Sequence, residues 1–309
     1  MLDAWGDHPV VVHALAEASD ALGEDLARLI HEGPKEALAL TTNTQPVMLV
    51  ACVAAWRVWL AEGGALPAVV AGHSLGEYSA LVAAGVLTLA QAAPLVRFRA
   101  DAMQRAVPVG AGAMAAILGM EAAKVISGCA EVTASFGANS GEVAEAVNFN
   151  DPVQTVIAGS KAAVEKACEW LKANGAKRAL PLPVSAPFHS SLMRPAADAL
   201  CEKLASLSLA TPKIPVVNNI DVAHETDVDR IRDALVRQAA GPVRWVECVK
   251  ALAAHGRDAT SGTGGIEAIV ECGPGKVLTG MIKRIAPDLL AMPVYDPASL
   301  ADARLQLAC

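Results

Sequence analysis

Aromatic side chains are scarce in this 309-residue chain, at 4% of residues, whereas hydrophobic residues make up 53%. A core with so few rings must be packed with Ala, Val and Leu. The composition is that of a compact globular protein. Its length allows two domains, or one large domain with a smaller insertion.

No apolar run reaches the length of a bilayer. The longest, Pro46 to Trp56, ends at Arg57 and is well short of the roughly 20 residues that a membrane-spanning helix needs. The N-terminal residues show no basic region followed by a long apolar stretch, so no export signal is expected. We therefore predict a cytoplasmic protein with no membrane partner.

Paired cysteines and an excess of basic residues are also missing. The seven cysteines stand singly, with no C-x-x-C pair, which is typical of neither a zinc site nor a disulfide framework. The net charge is −7, and no basic stripe with interleaved aromatic residues occurs. Nucleic acid is therefore not an expected partner.

The order of predicted elements indicates an α/β fold. From Ala68 onward, apolar segments of strand length alternate with helical segments, which favours a mostly parallel sheet covered by helices. Between residues 112 and 185 the order becomes strand, helix, strand, strand, helix, strand, as in ferredoxin-like modules. We predict a small domain over residues 111–185, inserted into a large domain formed by residues 1–110 and 186–309.

One serine stands between two glycines where a predicted strand meets a predicted helix. Residues 72–76, GHSLG, fit the G-x-S-x-G nucleophile elbow, which exposes the Ser74 hydroxyl. Side chains in place of the two glycines are expected to collide with neighbouring backbone. The N–H of Leu75 can then stabilise an oxyanion. The alternative is a small serine in an ordinary turn.

A lone arginine marks an apolar helix face. Thr88 and the glutamine three residues later predict the start of a helix with a capping box. On this helix Arg99 is the only charge on the apolar face, whereas Arg97 and Arg105 are spaced to pair with Asp101. A guanidinium among apolar side chains favours a carboxylate ligand. The alternative is a snorkelling or structurally paired arginine.

Two histidines are candidate bases for Ser74. His189 precedes a predicted helix, and from the residues alone it is either catalytic or a solvated or capping side chain. His255 lies in a predicted loop, AAHGRDATSG, and together with Asp229 it gives the chain order Ser, Asp, His of a serine esterase or thioesterase. Both alternatives are open at this point.

Six segments occur in this order along the chain: GHSLGEYSALVAAGVL, RFRADAMQ, AVNFN, PLPVSAPFHSSLM, GPVRW and ECGPGKVLTG. Together they resemble the malonyl-CoA:acyl carrier protein transacylases of fatty acid synthesis, over essentially the whole chain. The resemblance implies an α/β-hydrolase-like large domain with a ferredoxin-like small one. It also implies transfer of malonyl from malonyl-CoA to the phosphopantetheine thiol of acyl carrier protein through a malonyl-serine ester, with no metal or redox cofactor. A weakly catalytic binding domain, or an acyltransferase fragment of a polyketide synthase, is the alternative.

This resemblance implies roles for individual residues. Ser74 is the nucleophile, His189 is the general base and then the general acid, and Arg99 holds the malonyl carboxylate. The backbone carbonyl of Arg244, in the segment GPVRW, orients the imidazole.

The resemblance also suggests residues that contact the substrate, beginning with Leu75 at the oxyanion. Phe188 matches an aromatic residue that crowds an α-methyl branch, which favours malonyl over methylmalonyl, although it could also simply pack. Met103, on the face of Arg99, is assigned to substrate binding. His73 either lines the pocket or is a packed, hydrogen-bonded histidine.

One departure from the family concerns the N-terminus. Family members begin with a strand and a Gly-Gln-Gly-Ser-Gln turn, whose second glutamine supplies the other oxyanion N–H, and Met1 falls just after the place of this segment. The first strand and half of the oxyanion hole are therefore expected to be absent.

The expected protein partner is acidic, as is this chain, so docking requires a local basic patch. We also expect a monomer. The candidate docking residues are Lys172, Lys177, Arg178, Lys283 and Arg284.

Overall fold

The computed structural model describes residues 1–184, 186–257 and 264–307. Two sequence-based predictions concern residues outside these ranges. The predicted end of the small domain at Ser185, and part of the predicted loop after His255, lie outside the described residues.

The fold is mixed α/β. Its helices are α1 (Pro9–Leu22), α2 (Leu26–Glu32), α3 (Lys35–Ala39), α4 (Thr41–Ala61), α5 (Gly76–Ala83), α6 (Leu89–Arg105), α7 (Ala122–Ser135), α8 (Lys161–Ala173), α9 (Arg194–Ala205), α10 (Val228–Ala239), α11 (Trp245–Ala254), α12 (Val277–Ile285) and α13 (Pro297–Leu307). Its strands are β1 (Val70–Ala71), β2 (Gly112–Leu118), β3 (Ala144–Asp151), β4 (Gln154–Ser160), β5 (Arg178–Pro181), β6 (Val216–Val217), β7 (His224–Glu225), β8 (Ala268–Cys272) and β9 (Leu290–Val294).

Helix ends follow local sequence signals. α1 has Pro9 at its first position and ends at Gly23, whose φ is 67°. α6 starts as predicted: the Thr88 hydroxyl accepts a hydrogen bond from Gln91 N at 3.1 Å, and the Gln91 side chain accepts one from Thr88 N at 2.9 Å. This capping box fixes the start of the helix that carries Arg99.

Residues 112–181 form an antiparallel sheet with two helices, in the predicted order of elements. The strand order is β3-β4-β2-β5. One face of the sheet packs against α7 and α8, where Ile117 and Ile157 join Val125 and Leu171 in a single apolar cluster. The other face packs against Phe188. This second face therefore adjoins the segment that carries His189.

The remaining strands form two short sheets instead of the single parallel sheet that we expected. β1 pairs in parallel with β6, which pairs antiparallel with β7, and β8 pairs in parallel with β9. Within the described ranges β1 and β8 do not pair with each other. A cavity of about 310 Å³ lies between them, lined by Val70, Val270 and Trp59 among others. The predicted parallel pairing holds for β1 with β6 and for β8 with β9, but it does not continue from one sheet to the other.

Helix α4 is the longest helix of the main core. Val50, Ala54 and Val58 are fully buried on it, and the helix packs against α1 and α6. By length and composition α4 could cross a membrane, but 61% of its apolar window is buried inside the protein. Most of its apolar surface is therefore already covered by other parts of the chain.

Candidate active site

Ser74 lies in a tight turn between β1 and α5. Its φ is 52°, a left-handed conformation that is uncommon for a residue with a side chain. A Cβ on Gly72 would lie 1.9 Å from the backbone carbon of Gly76, so position 72 requires glycine. The collision expected at position 76 is wrong, because no described atom lies within 4 Å of a Cβ built there. The turn thus depends on Gly72 for space.

The start of α5 leaves one N–H group without a partner beside Ser74. The N–H groups of Gly76 and Glu77 donate to the carbonyls of His73 at 2.9 Å and Ser74 at 3.1 Å. No described group accepts a hydrogen bond from the Leu75 N–H. A helix N-terminus with such an open donor favours negative charge.

Ser74 and His189 are in direct contact. Ser74 Oγ lies 2.6 Å from His189 Nε2, and His189 Nδ1 lies 2.8 Å from the backbone carbonyl of Gln238. That carbonyl can only accept, so Nδ1 carries the proton and Nε2 is left to accept the hydroxyl proton. Burial, and secondly the positive charge of Arg99, lower the pKa of His189 to about 3. The imidazole is neutral at pH 7 and can act as a base.

The group that orients His189 is not the one that we predicted. The Arg244 carbonyl starts helix α11, where it accepts a hydrogen bond from Cys248 N at 2.9 Å. Gln238 lies in the last turn of α10, and its carbonyl accepts from Gly241 N at 3.4 Å and, with its second lone pair, from His189 Nδ1 at 2.8 Å. The assignment to Arg244 is therefore wrong, and Gln238 takes its place.

Arg99 is 2% exposed and is held by neutral groups. Its Nη1 donates to Gln45 Oε1 at 2.7 Å, and its Nη2 donates to Gln238 Oε1 at 3.0 Å and to Ser74 Oγ at 3.3 Å. Its Cζ lies 5.4 Å from the ring centre of Tyr78. In residues 1–184, 186–257 and 264–307, no carboxylate forms an ion pair with it. Glu77 acts on this charge without touching it, so Arg99 remains a buried cation with no carboxylate in contact, an energetic cost that an anionic ligand would relieve.

The neighbouring arginine differs from expectation. Arg97 forms an ion pair with Glu24, and its Nη1 donates to the Thr42 carbonyl at 2.7 Å. Among the described side chains, Asp101 forms no ion pair with Arg97 or with Arg105. The predicted pairing within α6 is wrong for Arg97 because the turn between α1 and α2 brings Glu24 within its reach.

His73, Phe188 and Met103 surround the site in different ways. His73 Nε2 lies 2.8 Å from Asn150 Oδ1, and its ring packs edge-on against Trp245, as in the packed alternative. Phe188 is partly exposed and packs between the main core and the antiparallel sheet. Met103 is 1% exposed, as buried as Arg99, and its assignment to substrate binding stays a prediction. Its Sδ instead accepts a hydrogen bond from the Gln45 side chain at 4.0 Å, so it supports the residue that holds Arg99.

Four buried polar residues of the site were missed in the sequence: Gln45, Glu77, Asn219 and Gln238. Gln238 shares a face of α10 with Ile231 and Leu235, the signal that singled out Arg99 on α6. Asn219 follows β6 at its carboxyl end, where polar residues of open α/β sheets meet ligands. Burial raises the pKa of Glu77 to about 7.

A cavity of about 640 Å³ opens beside His189, between the antiparallel sheet and the turn after α10. It is lined by His189, Val147, Phe149 and Gly241, among others. No three His, Cys, Asp or Glu side chains in the described ranges are arranged to hold a metal ion. Of the three residues predicted to carry the chemistry, His189 lines this cavity, whereas Ser74 and Arg99 do not.

The esterase alternative finds no support in these contacts. Asp229 is exposed and binds Arg232 at 2.7 Å, and His255 Nδ1 faces His224 Nε2 at 3.3 Å. Neither residue contacts Ser74 in the described part of the chain, whereas His189 does. The Ser, Asp, His constellation built on Asp229 and His255 is therefore wrong.

The fold and the site define a mixed α/β protein with a serine hydroxyl poised for nucleophilic attack. Residues 8–262 match the acyl transferase domain family. The chain belongs to this family, among the malonyl CoA-acyl carrier protein transacylases.

The similarity to these relatives extends over nearly the whole chain. The malonyl CoA-acyl carrier protein transacylase of Salmonella typhimurium is 51% identical over 300 residues, which cover 97% of this chain and 92% of that protein. The crystal structure of an acyl-carrier-protein S-malonyltransferase from Burkholderia pseudomallei is 59% identical, has a TM-score of 0.91 and covers 98% of this chain and 94% of its own. A malonyl-transacylase in complex with its type II polyketide synthase acyl carrier protein is 49% identical, with a TM-score of 0.90, and covers 96% of this chain and 92% of its own.

Proposed function

We propose that this protein transfers the malonyl group of malonyl-CoA to the phosphopantetheine thiol of acyl carrier protein in fatty acid synthesis. The observation that carries the proposal is the position of Arg99, a buried guanidinium that no described carboxylate contacts, 3.3 Å from Ser74 Oγ. A carboxylate bound there places an attached thioester beside the hydroxyl. Its two oxygens also match the guanidinium fork, which favours malonyl over neutral acyl groups.

The first half of the reaction forms a malonyl-serine ester. His189 Nε2 takes the Ser74 hydroxyl proton as Oγ attacks the thioester carbon. The C–S bond then breaks, and the coenzyme A sulfur leaves with the proton from the imidazole. The Leu75 N–H stabilises the oxyanion, and one such donor typically contributes about 10²- to 10³-fold in rate.

The second half reverses these steps. The pantetheine thiol gives its proton to His189, its sulfur attacks the ester carbon, and the proton returns to Ser74 Oγ as the C–O bond breaks. Arg99 holds the malonyl carboxylate throughout. Burial is the larger cause of the low pKa of His189 and the charge of Arg99 the second, and the bound carboxylate offsets this second cause. Malonyl therefore makes its own base stronger, whereas acetyl does not.

The carrier protein is the proposed macromolecular partner. A similar malonyl-transacylase has been solved with its acyl carrier protein. Arg178 lies on β5 at the end of the sheet where Asp151 closes β3, and Arg284 binds Asp151 at 2.8 Å. The neighbouring Asn150 reaches His73 beside the nucleophile. Basic groups at this end support docking near the cleft, and their joint charge reversal should raise the KM for carrier protein while leaving acylation by malonyl-CoA intact.

The proposal includes the finer architecture. Residues 111–185 form a ferredoxin-like domain inserted into an α/β-hydrolase-like domain of residues 1–110 and 186–309. The antiparallel strand order and the separate apolar cluster of this segment support the division. The protein works in the cytoplasm as a monomer and needs no cofactor.

Intact-mass spectrometry after mixing with malonyl-CoA tests the function. We expect the mass of one malonyl group on the wild-type protein and none on Ser74→Ala. Acetyl-CoA and methylmalonyl-CoA should label far more slowly. Ser140→Ala, in an exposed loop, is the matched control and should label like wild type. Labelling of Ser74→Ala at the wild-type rate would refute the proposal.

A further inference from the structure

The backbone of Ser74 is held at both of its polar groups by side chains from elsewhere in the chain. Ser74 N donates to Asn219 Oδ1 at 2.7 Å, and Gln238 Nε2 donates to the Ser74 carbonyl at 3.0 Å. Asn219 Nδ2 also donates to the Gly72 carbonyl at 2.8 Å. A non-glycine residue at positive φ persists only where its surroundings hold it. These contacts keep the hydroxyl aimed at His189.

Both supports converge on a single carboxylate oxygen. Glu77 Oε2 accepts hydrogen bonds from Asn219 N and from Gln238 Nε2, each at 2.9 Å. Glu77 is 2% exposed and has no ion-pair partner among the described residues. A buried carboxylate held only by neutral donors is costly, and hydrogen bonds to it are stronger than those between neutral groups.

We propose that Glu77 is the positioning residue of the site, which ties Asn219 and Gln238 together and through them holds the Ser74 backbone and the Arg99 guanidinium. This inference rests on the proposed malonyl transfer. It concerns a residue that touches neither the substrate nor the reacting atoms.

Three contacts agree on one orientation of the Gln238 amide. Its NH₂ donates to Glu77 and to the Ser74 carbonyl, and its Oε1 accepts from Arg99, 3.0 Å away. Protonation of Glu77 removes the charge that strengthens its hydrogen bonds to Gln238 and Asn219. Ionised Glu77 therefore holds Gln238, and through it Arg99, more firmly than neutral Glu77 does.

The surroundings of Glu77 place its titration near neutrality. Burial raises its pKa to about 7 against the lowering effect of its hydrogen bonds and of Arg99 on α6. Asp221, after β6, also raises it, and Cys248 on α11 and the neighbouring Tyr78 are the other titratable groups that interact with it. Lowering the pH through about 7 protonates Glu77, so activity should fall in that direction. His189, whose pKa lies near 3, does not titrate in this range.

Single-turnover acylation by malonyl-CoA between pH 6 and pH 8 tests the inference. Wild type should slow as the pH falls through 7. Glu77→Gln keeps the shape but not the charge, and should lose at least about tenfold in kcat/KM at pH 8 and show a flat profile. Glu77→Asp should recover part of the loss and the pH dependence. Any ionisation of malonyl-CoA itself affects all variants equally. The difference between the wild-type and Glu77→Gln pH profiles therefore reports the ionisation of Glu77 alone.

Glu271→Gln is the matched control. Glu271 accepts from the N–H groups of Leu278 at 3.0 Å and Thr279 at 2.6 Å at the start of α12. This variant should change the melting temperature but not the pH profile. A Glu77→Gln protein with wild-type kcat/KM and pH profile would overturn the inference. Should that variant not fold, the wild-type profile decides, because the absence of a change between pH 6 and pH 8 is equally contrary. A wild-type protein that is never malonylated would instead refute the proposed function.

Discussion

Ser74 Oγ and His189 Nε2 lie 2.6 Å apart although 115 residues separate them in the chain. Both residues have a left-handed backbone, with φ of 52° and 66°. Such conformations cost of order 1–3 kcal/mol each and are kept where function requires them. The two side chains meet because β1 and the segment before α9 each turn sharply at these residues.

Replacement of His189 by alanine should abolish fast malonylation of Ser74. The loss expected for a missing general base is about 10²- to 10⁴-fold. Stopped-flow or quenched-flow acylation with malonyl-CoA measures it. His255→Ala is the matched variant and should retain the wild-type rate, because His255 faces His224 and not the site. Equal losses in both variants would return the esterase arrangement to consideration.

Replacement of Arg99 by alanine should reverse the preference between malonyl-CoA and acetyl-CoA. Loss of one partner of a buried charge pair costs about 2 to 5 kcal/mol, and here the loss should fall on malonyl alone. Competition between the two thioesters, read by intact mass, gives the ratio directly. Arg97→Ala, which removes the ion pair with Glu24, should leave the ratio unchanged. A parallel fall for both substrates in Arg99→Ala would contradict the carboxylate role.

The sequence was most informative where one residue type has few physical alternatives. A serine between glycines at a strand-to-helix junction and an arginine on an apolar helix face both located the site. The backbone carbonyls and side-chain amides that hydrogen-bond to these residues could not be predicted from the sequence. The acceptor for His189 is a backbone group of Gln238, and any residue at the end of α10 offers a carbonyl. Which carbonyl is used depends on how α10 packs, and no local pattern encodes that.

The division of the parallel strands into two short sheets could not be predicted either. β1 and β6 each have only two residues in strand geometry, too few for a periodic signal. The antiparallel sheet was easier to predict because β2, β3 and β4 each span seven or eight residues. Contacts between distant parts of the chain are also invisible to helical spacing. Spacing along α6 predicted Asp101 as the partner of Arg97, but the partner is Glu24, which lies between α1 and α2.

Replacement of Gly72 by alanine should unfold the elbow, whereas Gly76→Ala should be tolerated. The added Cβ at position 72 meets the Gly76 backbone at 1.9 Å, and that at position 76 meets no described atom within 4 Å. Overpacking typically costs about 1 to 3 kcal/mol or more, so urea denaturation should separate the two variants. Equal urea midpoints for the two variants would show that the backbone at positions 72 and 76 can separate without loss of stability.

Replacement of Phe188 by valine should open the pocket to a branched acyl group. Phe188 precedes His189 and packs against both the main core and the antiparallel sheet, and the family resemblance implies that its ring crowds an α-methyl branch. One methyl group in a pocket is worth about 1 to 3 kcal/mol, or roughly 10- to 200-fold in selectivity. The kcat/KM for methylmalonyl-CoA should therefore rise relative to malonyl-CoA by a factor in this range, measured with both thioesters in competition. Phe98→Val is the matched control, since Phe98 lies under Lys203 of α9, where α6 and α9 pack together. If the Phe188 variant slowed or sped both substrates alike, the ring would be a packing element, and selectivity against the α-methyl branch would have to come from elsewhere in the cleft.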